Sequence, residues 1–246
     1  MIVTLNAHAK LTLALRVVGV RDDGYHDIDA EMVSLDLHDV LSVDTSSTGI
    51  SLDGPFATGI TDAEDNLIAK ALRLCGVSAA VHVTKNIPSG GGLGGGSADA
   101  AAILRWAEFD DLVAASRVGA DIPFCMVGGR ARVSGIGEIV SPLVHRDEDI
   151  TLVTPPFGVS TPAVYRAWDE LDPSRRRGVG PNDLEAPAIA VEPRLATWRE
   201  RIGNATGATP VLAGSGSTWW VRGHFPELGN QLRDSTVVLA KSIATI

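Results

Sequence analysis

The sequence is short of cysteine and lysine, and each shortage removes a class of function. Two cysteines, Cys75 and Cys125, stand far apart in 246 residues. They build neither a disulfide framework nor a CxxC zinc pattern. The six histidines form no HxxxH pair, so no zincin-type metal site is expected. Lysine and arginine total 21 against 30 acidic residues, a net charge of −9. That balance argues against a nucleic-acid partner, since phosphate backbones need a basic face. Any phosphate binding must be local. No apolar run approaches the roughly 20 residues of a membrane span. MIVTLNAHAK lacks the basic start and apolar core of a signal peptide. The expected location is the cytoplasm, without a membrane partner.

What is present suits a soluble globular protein: 45% hydrophobic and 21% charged residues, within the ordinary range. Residues 3–20 and 27–47 are rich in β-branched and aliphatic residues and partly alternate, which predicts strands around a turn at RDDGYH (21–26). Residues 62–77 have helical spacing, with Gly76 as a stop. A strand is predicted over 80–88, helices over 97–106 and 109–119, and a hairpin over 131–143. ITLVT at 150–154 reads as a buried strand. Helices are expected at PAVYRAWDEL and over 182–201, then a strand, glycine turn and strand over 210–223, and a final short helix and strand. Length and the prolines after Thr154 suggest two domains, 1–149 and 150–246. The irregular mixture predicts an α+β class.

One stretch carries most of the chemistry. In KNIPSGGGLGGGSADAAA (85–102), six of the seven residues from Gly90 to Gly96 are glycine. A flexible linker would join independent units with polar flanks; this run joins a strand to an alanine-rich helix. Glycine lets a ligand approach the backbone, successive N–H groups can form an anion nest, and Ser97 stands where a helix N-cap is expected. A helix start adds its free N–H groups and positive dipole end. The pattern predicts a polyphosphate site. It fails the Walker A test, because Ser97-Ala98 follows the last glycine. Gly90-x-Gly92-x-x-Gly95 matches a dinucleotide fingerprint only as polyglycine would.

PSGGGLGGGSA (88–98) does resemble the ATP loop of the GHMP small-molecule kinases. AKLTLAL (9–15), DDGYH (22–26), EDNLI (64–68), GADIPF (119–124), PNDLE (181–185) and AGSGST (213–218) follow in order. Together they resemble the 4-diphosphocytidyl-2-C-methyl-D-erythritol kinase branch over nearly the whole chain. The resemblance implies a two-domain GHMP fold and phosphorylation of the 2-hydroxyl of a substrate carrying a cytidine diphosphate, with ATP as co-substrate and Mg²⁺. It implies catalytic roles for Lys10 and Asp121. Pro88, Gly90, Gly91, Gly92, Leu93, Gly94, Gly95, Gly96 and Ser97 would hold ATP, with Asn66 and Lys85 on the adenosine side. Tyr25, His26, Thr12 and Tyr165 would hold the substrate, and Gly214, Ser215, Gly216 and Ser217 would form a supporting turn. No side chain is assigned as a metal ligand.

The residues support part of this independently. A lysine in an apolar strand, as at Lys10, requires a carboxylate or phosphate partner. Asp121 lies between Gly119 and Pro123, a segment expected not to form regular helix. A tyrosine can stack on a base and a histidine can hydrogen-bond its edge. Thr12 stands where the family usually has asparagine, and Ala98 replaces a usual second serine. Asp99, acidic in the first helical turn, suits the dipole but would repel ATP unless turned away. Alternatives are a mevalonate- or homoserine-type kinase, or a non-catalytic sensor on the same fold.

Overall fold

The computed structural model describes residues 2–57, 66–178 and 180–246. The predicted helical start over 62–65, with Glu64 and Asp65 of the EDNLI motif, lies outside them.

Two 19-residue strands, β1 (Ile2–Val20) and β2 (His26–Asp44), pair antiparallel along their length. The Asp-Asp-Gly turn joins them: Gly24 takes φ +83° and Tyr25 N–H donates to Asp23 Oδ1 at 3.1 Å. The other edge of β2 is shared by several strands in succession. It pairs with β5 (Arg130–Gly135) over 28–33, with the last strand at 34–35, and with β4 (Ala80–Thr84) over 40–44. The remaining elements of this half are β3 (Gly49–Asp53), parallel to β4, and β6 (Ile139–Pro142), a hairpin with β5. Helices α1 (Leu67–Cys75), α2 (Gly95–Trp106), α3 (Leu112–Val118) and α4 (Ile122–Val127) belong to the same half, and α2 packs on β1. Fully buried Leu11, Leu35, Leu41, Ile103, Leu104 and Phe124 fill the core, each side chain contributing roughly 1.5–3 kcal/mol of burial.

The expected boundary at 149/150 falls at the start of β7 (Asp149–Thr154). Helices α5 (Thr161–Asp169), α6 (Glu185–Val191) and α7 (Arg194–Thr206) follow, then β8 (Val211–Leu212), β9 (Trp219–Arg222), α8 (Leu228–Gln231) and β10 (Thr236–Ile243). Strand β10 pairs with β7 over 236–241 and with β2 at 242–243, so hydrogen bonding continues from one half to the other. The class is α+β, as expected.

Several boundaries differ from the sequence reading, each for a local reason. Strand β4 stops at Thr84 because the amides of Asn86 and Ile87 turn to a side-chain carboxylate instead of a neighbouring strand. The glycine-run helix starts at Gly95 with Gly94 as its cap (φ +70°), so Ser97 lies inside the first turn. Asp121 directly precedes α4, a regular helix. Pro123 occupies one of its first two positions, where its missing N–H costs nothing. The helix expected over 182–201 is two, broken at Glu192-Pro193.

Candidate active site

A β-bulge places the first functional side chain. The β1–β2 register shifts between His8 and Lys10, and Lys10 N–H leaves the ladder to donate to Leu93 O of the glycine loop at 3.0 Å. The Lys10 side chain is buried. Its Nζ donates to Thr12 Oγ1 at 3.2 Å and lies 3.1 Å from Asp121 Oδ2. A buried ammonium is thereby paired, as it must be. Lys10, Thr12 and Asp121, which the sequence singled out from two distant segments, meet at one point.

Two cavities, of about 560 and 500 Å³, meet there, and Gly92, Ser97 and Asp121 line both. The smaller is walled by Pro88–Ser97 with Asn66 and Lys85. The N–H groups of Gly95, Gly96 and Ser97 begin α2 ahead of its first helical bond, Ala98 N–H to Gly94 O. They are the free donors of a helix start. Part of the need for glycine is internal packing. A Cβ on Gly92 (φ +78°) would collide with Ala213 O, and one on Gly94 would approach Lys10 Cγ to 2.8 Å.

The loop is anchored from beneath by a residue the sequence did not reveal. Asp39 on β2 is fully buried; its Oδ1 accepts from the amides of Asn86 (2.5 Å) and Ile87 (2.8 Å), and its Oδ2 is ion-paired with Lys85. Lys85 Nζ also bonds Asp99 Oδ2 at 2.5 Å. Lys85 is 3% exposed, its ammonium held between two carboxylates. Asp99 points inward to Lys85. Two acids and one ammonium leave a charge imbalance in a buried place. Burial first, and the Asp39 charge after it, outweigh Lys85 and raise the Asp99 pKa to about 7. Asp99 Oδ1 has no hydrogen-bond partner among the described residues. Asn66 caps α1 by accepting from Ile68 N–H at 2.9 Å.

The larger cavity is lined by Lys10, Thr12, Tyr25, His26 and Tyr165, joined by Arg166 and Asp169 of α5. His26 Nε2 meets Asp169 Oδ1 at 2.8 Å, and its ring centroid lies 4.6 Å from that of Tyr165. Tyr25 is exposed at the rim. Burial, then the Asp121 charge, raises the Tyr165 pKa, so its phenol stays protonated. The second glycine turn is fixed by Asn182, whose Nδ2 donates to Leu212 O (2.9 Å) and Gly214 O (2.7 Å). Ser215 Oγ bonds Thr161 Oγ1 at 2.7 Å and Ser217 Oγ donates to Phe157 O at 2.6 Å. Gly216 completes the turn (φ +94°). An added Cβ at Gly214 would stand 3.7 Å from Lys10 Nζ. Asp183 of the PNDLE motif binds Arg16 (2.6 Å) and Val17 N–H (3.2 Å). That motif therefore joins β1 to the second half.

Residues 63–129 match the family model of the GHMP kinases N terminal domain. The chain is 40% identical over 229 residues to 4-diphosphocytidyl-2-C-methyl-D-erythritol kinase of Paracoccus denitrificans (strain Pd 1222), covering 86% of this chain and 84% of that one. The chain belongs to the 4-diphosphocytidyl-2-C-methyl-D-erythritol kinase family. The Ruegeria pomeroyi (strain ATCC 700808 / DSM 15171 / DSS-3) member is 37% identical, covering 92% of this chain and 90% of its own. A crystal structure of 4-(cytidine 5'-diphospho)-2C-methyl-D-erythritol kinase superposes with a TM-score of 0.77 at 30% identity, covering 98% of this chain and 99% of that one. Homoserine kinase from Cytophaga hutchinsonii ATCC 33406 shares the fold, with a TM-score of 0.66, 16% identity and coverage of 98% and 95%. The expected GHMP kinase fold is therefore observed. Among the described residues, no helix is long and apolar enough to cross a membrane.

Proposed function

We propose that this member of the 4-diphosphocytidyl-2-C-methyl-D-erythritol kinase family transfers the γ-phosphoryl group of ATP to the 2-hydroxyl of 4-(cytidine 5'-diphospho)-2-C-methyl-D-erythritol, in the cytoplasm. The observation that carries the reading is the Lys10–Asp121 contact of 3.1 Å where the two cavities meet. Residues 1–149, as the first domain, supply the glycine loop and both catalytic residues. Residues 150–246, as the second, supply one wall of the substrate cavity and the supporting turn.

The polyphosphate of ATP lies against the free amides of Gly95, Gly96 and Ser97, with adenosine toward Asn66 and Lys85. The cytosine lies between Tyr25 and Tyr165 beside His26. Among the described residues Arg166 has no carboxylate partner, and its guanidinium on the cavity wall suits the diphosphate. Asp121 Oδ accepts the proton of the 2-hydroxyl as its oxygen attacks the γ-phosphorus in line, and the bond to the β-phosphate oxygen breaks. Lys10 holds Asp121 in place and, with Thr12, orients the hydroxyl. Among the described residues, no cluster of three or more His, Cys, Asp or Glu could hold a metal. The oxygen donors at hand are Ser97 and Asp121, which line both cavities. They fit Mg²⁺, which takes one or two protein ligands and otherwise phosphates and water. Bound there, Mg²⁺ would neutralise phosphate charge.

An assay with γ-labelled ATP tests the reading by offering the cytidine-diphosphate alcohol against mevalonate and homoserine. Label is expected on the first alone. Label on either other alcohol instead, or binding of both ligands without transfer, would overturn it.

A further inference from the structure

The imidazole of His26 is held on three sides by one helix turn. Asp169 Oδ1 lies 2.8 Å from its Nε2. The Tyr165 ring is tilted at 4.6 Å, and the Trp168 ring meets it edge-on at 5.7 Å and 84°. That turn is itself fixed: Arg176 donates to Asp169 O at 2.8 Å, its guanidinium covers Trp168 at 4.7 Å, and Trp168 Nε1–H donates to Arg176 O at 3.2 Å. Among the described residues, only Nε2 of His26 has a hydrogen-bond partner; the side chain, 11% exposed, lines the larger cavity.

A carboxylate can only accept. In the neutral ring, Nε2 therefore carries the proton and Nδ1 is left with a lone pair. We propose that Asp169 is a specificity-positioning residue that makes His26 Nδ1 an acceptor, and so selects a pyrimidine with an amino group at position 4 over one with a carbonyl. Cytosine offers a donor there and uracil a second acceptor, whose lone pairs would oppose those of Nδ1. Sites built to pair one polar group reject analogues lacking it more strongly than apolar pockets discriminate by size. Without the carboxylate the ring can turn over or exchange its proton to Nδ1. It would then present a donor that uracil satisfies.

The inference rests on the substrate reading above, and the test separates the two. Calorimetric binding of CDP and UDP, and kcat/KM for the cytidine-diphosphate alcohol and its uridine counterpart, are measured for the wild-type chain, Asp169→Ala and Asp169→Glu. Nitrogen-15 shifts of the His26 ring report its tautomer. The wild type is expected to favour the cytosine ligands by about 100-fold, the upper range for one base-edge contact. Asp169→Ala should lose about tenfold of that preference, at unchanged KM for ATP and with a mixed ring tautomer, and Asp169→Glu should recover part of it. Undiminished preference in Asp169→Ala, or an equal fall on both bases, would overturn the positioning role alone. A wild-type chain that takes neither cytosine ligand would overturn the substrate reading and this inference with it.

Discussion

Lys10 Nζ and Asp121 Oδ2 stand 3.1 Å apart although 110 residues of chain separate them. The β1 bulge at Lys10 and the helix start after Asp121 bring them together. Asp121→Asn keeps the shape and removes the proposed proton acceptor. Turnover should fall about 10³-fold, within the range of general-base losses, while ATP binding stays within about twofold. Single-turnover kinetics with separate ATP titration would check both. Near-normal turnover would remove Asp121 as the base.

Arg166→Ala bears on the diphosphate. Losing one charge-assisted hydrogen bond costs about 1.5–3 kcal/mol. KM for the cytidine substrate should therefore rise about tenfold or more, with KM for ATP unchanged. A rise in KM for ATP instead would place Arg166 on the other cavity.

Gly92→Ala tests whether the glycine loop owes its composition to packing as well as to ligand. A methyl group there meets Ala213 O, and the positive φ disfavours any side chain. The variant should lose stability even without nucleotide. The expected fall is about 2–4 °C in Tm for each kcal/mol, seen by thermal unfolding of the free protein. An unchanged Tm with weakened ATP binding would mean that only the ligand requires glycine at this position.

The candidate reaction centre was legible because its residue types are improbable where they stand. A lysine inside an apolar strand, six glycines before a helix and an aspartate before Pro123 each demand an explanation. Asp39 and Asp169 were not legible. An acid in an alternating strand, or at the end of an exposed helix, looks like ordinary solvated surface. Their partners, Lys85 and His26, lie 46 and 143 residues away, and only the fold brings them together. Ser97 was misplaced by three helix positions because Gly94 reaches a positive φ that caps the helix without a hydroxyl. The long strands β1 and β2 followed from periodicity, since many of their side chains are buried, and the DDG turn followed from its turn residues. The break at Pro193 did not stand out within a continuous helical pattern.

Asp39→Ala should separate loop anchoring from chemistry. It removes the acceptor for two loop amides and one of two charges on Lys85. Breaking a buried pair costs about 3–5 kcal/mol. The gentler Asp39→Asn retains one acceptor oxygen and guards against outright unfolding. In either variant KM for ATP should rise well before KM for the alcohol changes, and hydrogen exchange at Asn86 and Ile87 should quicken. Unchanged exchange at those amides would show that the loop is held by other contacts.

Asp99→Asn addresses the proton in the same cluster. The native state holds that proton up to about pH 7, whereas an unfolded aspartate releases it near 4. Between those values the folded protein binds more protons than the unfolded chain, so stability falls as pH rises through this window. Below it the penalty is absent; above it the penalty is complete. Denaturant unfolding from pH 4 to 8 should show the wild type declining relative to Asp99→Asn, whose amide has no proton to lose. Because the carboxylates outside the Asp39–Lys85–Asp99 cluster titrate in both proteins, the difference between the two curves reports on that cluster. Parallel curves would mean that Asp99 is ionised throughout and that Lys85 alone balances both acids.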